Sequence, residues 1–157
     1  MPLFSEFMSD LSQRRGIRRM PDGSRVTYRL RLHGSAAITV MTDELDPAAS
    51  ARAISEAWPV PPAAGAYGEF MRIALRFNRS ALHHLDAGIL QDPANPGQFR
   101  LTWFVPALAR PGAEWSQQLR LFGKLTDQAW KTMPSPAQVA GPRRAPVEDA
   151  GQVIFMP

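Results

Sequence analysis

The chain has 157 residues, 45% of them hydrophobic and 20% charged, which is apolar material for one core and too little for two. It contains no cysteine, excluding disulfides, thiolate metal sites and a cysteine nucleophile together; its net charge of +4 raises nucleic acid or an acidic partner, but the distribution of the basic residues, clustered at Arg14 to Arg19 and at Arg143 and Arg144 and otherwise scattered, favours an ordinary solvated surface. No basic and apolar leader is recognisable at its start, and no apolar run approaches the roughly 20 residues of a membrane span, so a soluble protein of the cytoplasm is expected.

Over Pro2 to Gln13, Leu3, Phe4, Phe7, Met8 and Leu11 recur at spacings of three and four, predicting a short amphipathic helix whose stripe either closes over the core or faces a partner. Gly16 is placed to end it, and Arg14 and Arg15 suit the negative end of its dipole. Pro21-Asp22-Gly23-Ser24 signals a turn into the alternating run Arg25 to Leu32. Val26, Tyr28, Leu30 and Leu32 share one face of that predicted strand and Arg25, Thr27, Arg29 and Arg31 the other, the pattern of a sheet covered on one side. His33-Gly34-Ser35 turns into a second strand, Ala36 to Met41, its expected antiparallel neighbour.

From Asp46 the local signals favour a helix, with Pro47 at its first position and Ala51, Ile54, Ala57 and Trp58 on one face. The run stops against Pro59-Val60-Pro61-Pro62, and the spacing of Ile54 and Trp58 also permits an edge strand. Tyr67, Phe70, Met71, Ala74 and Leu75 then mark a helix ending in Arg76-Phe77-Asn78-Arg79. Beyond it the alternation in Leu82 to Leu90 and Gln98 to Val105 predicts two strands joined by a Pro/Asn/Gly loop from Gln91 to Gly97. Trp115, Leu119, Phe122, Leu125, Ala129 and Trp130 recur at helical intervals and predict a long helix over Ala113 to Thr132. After it, prolines 134, 136, 142 and 146 indicate a flexible tail over 134–157, leaving 1–133 as an α+β domain.

Chemistry is sparse. His83-His84 beside Asp86 invites a metal reading, but neighbours on a strand point to opposite faces and do not easily share an ion. There is no Gly-rich phosphate loop, serine elbow or paired zinc-ligand helix, and Asp43, Glu44 and Asp46 group at a turn where acidic residues are ordinary. The expectation is a protein that is not an enzyme and uses no cofactor or metal.

The run Phe70-Met71-Arg72-Ile73-Ala74-Leu75-Arg76-Phe77-Asn78 resembles the helix, ending in a leucine-rich turn and asparagine, of class I type III secretion chaperones of the CesT/SycE type. Gly88-Ile89-Leu90, the Asp92 to Gly97 loop, Phe99 to Trp103 and Phe122 to Trp130 are similar to that family's hairpin and last helix. The resemblance covers Pro2 to Met133. It implies a homodimeric α+β fold, α-β-β-β-α-β-β-α, with an antiparallel sheet of about five strands and three helices, and a strand within Asp46 to Pro61 ending at Trp58-Pro59. It further implies a bacterial cytoplasmic chaperone that holds the N-terminal region of a secreted effector partly unfolded and delivers it to the export apparatus. Family members are usually acidic, whereas this chain is basic.

An extended partner needs a free strand edge beside apolar pockets. The candidates for effector binding are Phe4, Phe7, Met8 and Leu11 with Val26, Tyr28 and Leu30; those for the dimer interface are Phe70, Phe77, Phe99, Leu101 and Trp103. The alternative is a basic nucleic-acid-binding or regulatory protein using Arg14, Arg15, Arg18, Arg19 and the arginine face of the first strand. A small-ligand enzyme ranks last, having no identifiable catalytic group.

Overall fold

The structure, a computed structural model, describes residues 1–32, 36–61 and 63–134. The predicted turn at His33-Gly34-Ser35 and the proline-rich segment after Pro134 lie outside the described residues. Among those described, the elements run α1 (Phe4–Arg15), β1 (Arg19–Asp22), β2 (Arg25–Arg31), β3 (Ala37–Asp43), β4 (Ala51–Ser55), β5 (Trp58–Pro59), α2 (Ala64–Ala81), β6 (Ala87–Asp92), β7 (Asn95–Val105) and α3 (Gly112–Thr132). The class is α+β, with an antiparallel sheet and three helices.

The seven strands form one sheet in the order β1-β2-β3-β4-β7, with β6 on the far side of β7. β4 and β5 share one edge of β7: Ala51 to Ile54 lie opposite Val105 to Thr102, and Trp58 lies opposite Phe99. They are two halves of one line interrupted at Glu56 and Ala57. Ser55 bridges the interruption, its buried Oγ accepting the Leu101 amide at 3.0 Å and donating to the Glu56 carbonyl at 2.7 Å. The helix that the local signals after Asp46 favour is therefore absent, and strands stand there instead, the second ending at Trp58-Pro59 as the resemblance implied. Alternation puts Ala51, Ala53 and Ser55 on the buried face, and burial against the helices outweighs a weak helical propensity.

Val26, Tyr28, Leu30, Ile38, Val40, Leu101 and Trp103 point from the sheet into the core, and all three helices cover that face. α1 contributes Phe4, whose ring meets Trp103 at 5.5 Å and Trp115 of α3 at 5.1 Å. α2 contributes Phe70, 5.1 Å from Phe99, and α3 contributes Phe122 against Trp103 and Trp130 against Trp58. Each large apolar side chain buried this way adds about 1.5–3 kcal/mol.

Three details differ from those read in the sequence. β1 is an extra strand, because Asp22 and Arg25 pair across the two-residue loop Gly23-Ser24, with Gly23 at φ 61°. The hairpin of β6 and β7 is tighter than the predicted seven-residue loop, since β7 already starts at Asn95. Leu82 to Asp86 form turns rather than a strand, so His83 and His84 stand exposed after α2. No helix among the described residues is long and apolar enough to cross a membrane.

Candidate functional site

α1 ends because Gly16 takes a left-handed conformation, φ 63°, and the Ile17 amide folds back onto the Ser12 carbonyl at 3.1 Å. The chain then approaches β2, but pairing begins only at Arg19, opposite Tyr28. Arg29, Leu30 and Arg31 pair with Thr39, Ile38 and Ala37 of β3 on one side and with no described strand on the other. A cleft of about 560 Å³ lies here, between the end of α1, this unpaired stretch of β2 and the first half of α3. Leu11, Ile17, Leu30 and Leu119 supply its apolar surface.

Its charge is one-sided. Arg15, Arg18, Arg29, Arg31 and Arg120 line the cleft, with no aspartate or glutamate among the described lining residues. Neighbouring arginines differ: Arg14 pairs with Asp10 at 2.9 Å and Arg19 with Glu44. These five side chains exceed the net charge of +4 for the whole chain. The basic character is thus concentrated at one place, and the remainder of the molecule is close to neutral.

A second hollow, of about 580 Å³, lies on the uncovered face of the sheet, where Met41, Ile54 and Phe104 meet Leu90 of β6. Arg52 lies over the Phe104 ring at 5.5 Å. At its rim Arg100 donates to Asp92 at 2.7 Å and to the Ser55 carbonyl at 3.1 Å. The Arg100 hydrogen bond holds the Asp92 carboxyl below its ordinary range.

The sequence-based candidates fall out as follows. Phe4, Phe7, Met8, Val26, Tyr28 and Leu30 are buried core residues, so the assignment of these six to a free partner-binding face is corrected. Their apolar stripes are the ones the helices and sheet close against each other. Phe7 and Leu30 still reach the cleft wall, and Leu11, only partly buried, lies beside them. Phe70, Phe77, Phe99, Leu101 and Trp103 are likewise buried within one copy. What α2 and its C-cap residue do expose is a second stripe, Tyr67 and Leu75 on the helix with Leu82 just after it, at 41%, 62% and 59%, rotated from the buried Phe70, Ala74, Phe77 and Ala81.

Ile17, Leu119 and Arg120 are not among the sequence-based site candidates, Leu119 being read there only as part of the stripe of the long helix. The alternation of β2 and the basic run after α1 were visible there, but nothing local signals that Arg120, in the middle of a long helix, joins them. The fold and the cleft define an α+β protein with a one-sided antiparallel sheet and a basic, apolar-floored opening at an unpaired strand edge. Comparison with family models, curated proteins and solved structures finds no match in any of the three.

Proposed function

We propose that this protein is a secretion chaperone of the class I type III kind, binding the N-terminal region of a secreted effector in extended form, keeping it soluble and passing it to the export apparatus. The observation that carries this reading is the stretch Arg29 to Arg31, unpaired on one side among the described strands, beside the partly buried Leu11 and Ile17 over the buried Leu30 and Leu119. Backbone N–H and C=O groups at such an edge pair with an incoming strand, and the apolar wall accepts every second side chain of it. Ordering a flexible segment has an entropic cost that offsets part of the contact energy, so the client stays releasable. In this reading binding involves no bond-making step and the protein works in the bacterial cytoplasm, where clients wait before export.

The protein acts as a homodimer in this reading, and the support for that is the exposed stripe Tyr67, Leu75 and Leu82 on α2. The test is purification from the native host with identification of the bound chain and limited proteolysis of the complex. A single effector is expected, with its N-terminal segment protected, and Leu11→Glu with Ile17→Glu releases it while the helical and strand content stays intact. A monomer carrying no secretion client, or a client retained by the double variant, would sink the reading.

A further inference from the structure

We propose that the cleft selects an extended segment in which acidic and apolar side chains alternate. This rests on the reading of the cleft as a partner-binding site and names the chemistry of the partner.

The argument starts from the geometry of a strand. Successive side chains of an added strand point to opposite faces of the sheet, in step with those of its neighbour. The neighbour is β2, where Leu30 points to the core side and Arg29 and Arg31 to the uncovered side. A strand laid along Arg29 to Arg31 therefore sends its core-side side chain towards Leu11 and Ile17, the partly buried apolar residues of the cleft, above a floor in which Leu30 and Leu119 are buried. The side chains before and after it stand beside Arg29 and Arg31. Opposite charges directly across a strand pair are favourable and like charges unfavourable, which makes the intervening residues acidic. Arg15, Arg18 and Arg120 add the same sign of charge around the opening.

β2 spans seven residues, and β1 covers its first four, Arg25 to Tyr28. The open edge is thus three residues long, about 10 Å at the rise of a strand. The recognised motif is correspondingly short, an apolar residue between two acidic ones. A nucleic acid would use the arginines, but the cleft lacks what single strands ordinarily need. Its sole aromatic lining residue among those described, Phe7, is buried, so bases find no exposed ring to stack on.

The test uses the full chain and three fluorescein-labelled synthetic peptides, read by anisotropy. One alternates glutamate and valine between flexible glycine-serine ends, one replaces glutamate by lysine, and one has the first composition with the glutamates and valines in separate blocks. Single-stranded and duplex DNA serve as competitors. The alternating acidic peptide is expected to bind at least about tenfold more tightly than either other peptide. Its affinity should fall between about 50 and 200 mM salt without vanishing, because the apolar part is not screened. Arg29→Gln with Arg31→Gln, and separately Arg120→Gln, should each weaken it by several-fold or more, whereas Arg79→Gln on the exposed side of α2 should not. Circular dichroism confirms that these surface variants stay folded. Equal binding of the blocked or lysine peptide, absence of binding, or DNA displacing the peptide at lower concentration would overturn the proposal. Should the natural client be held equally well by the arginine variants, the acidic motif fails while the chaperone reading stands. Absence of any client removes that reading instead.

Discussion

Asn78, on α2, reaches across to the outer edge of β6 and makes the two contacts a neighbouring strand would otherwise make with Ile89. Its Oδ1 accepts the Ile89 amide and its Nδ2 donates to the Ile89 carbonyl at 3.0 Å. The side chain sits against Gly88, where an added Cβ would come within 3.4 Å of it. Two such bonds contribute about 1–3 kcal/mol together. Asn78→Ala should therefore lower the urea midpoint by about 1 M and the melting temperature by about 2–4 °C for each kcal/mol lost. Asn78→Asp is the more discriminating variant. Above the carboxylate range its charged oxygens still accept the amide, but they face the Ile89 carbonyl with nothing to donate. That repulsion, with desolvation, raises the folded pKa above the unfolded value of about 4. Group sign then follows: the protonated carboxyl donates to the carbonyl, so Asn78→Asp recovers relative to the wild type as pH falls and loses again as it rises through the folded pKa. Hydrogen exchange at the Ile89 amide provides the local readout, slow in the wild type and faster in Asn78→Ala. An alanine variant costing less than about 0.5 kcal/mol, or an Ile89 amide unaffected by it, would refute the edge-capping role.

Ser55→Ala should cost about 1–3 kcal/mol in urea unfolding, because it strips the buried Leu101 amide of its acceptor. Asp92 gives a pH dependence of the opposite sense to Asn78→Asp. Its carboxyl is depressed by Arg100, so its contribution is present above the ordinary carboxylate range and is lost as pH falls through the lower folded value. Asp92→Asn should accordingly narrow the loss of melting temperature between neutral pH and pH about 3. Gly123→Val should destabilise by about 1–3 kcal/mol, since even a Cβ there would stand 2.8 Å from Leu32 Cδ1 and the branched carbons reach further into the same side chain. Leu75→Glu with Leu82→Glu should convert a dimer to a monomer in sedimentation with little change in melting temperature, both side chains being exposed within one copy.

The fold was legible where one period dominates. Trp115, Leu119, Phe122, Leu125 and Ala129 describe α3, and Val26, Tyr28 and Leu30 describe β2, because a side chain either meets the core at that spacing or does not. Ala51 to Trp58 was legible only through the family resemblance, which implied a strand ending at Trp58-Pro59, since small residues and a capping aspartate locally suit a helix and the sheet that overrides them is assembled from distant β3 and β7. The sites failed for a different reason. An apolar stripe tells which side chains seek burial but not what will cover them: Phe4 meets Trp115 of α3, Trp103 of β7 and Phe7, and Met8 and Tyr28 are buried in the same core cluster. The cleft arises where β1 falls short of β2, a difference in strand length to which the turn at Gly23 gives no clue.

An open sheet presents two edges, and uncovered edges invite unwanted pairing. Here the β6 edge is blocked at Ile89 by Asn78, and the β1 edge is four residues long and carries Pro21, which has no amide to donate. Both devices guard the sheet against other chains. Against that background the unpaired stretch Arg29 to Arg31 is guarded differently, by arginine side chains and a recess rather than by proline or a capping amide. Positive charge at an edge repels a second copy of the same basic surface and tolerates an acidic one. The same three residues therefore discourage self-pairing at this edge while leaving its backbone open to a strand of the opposite charge, which is the property a carrier of an unfolded segment requires.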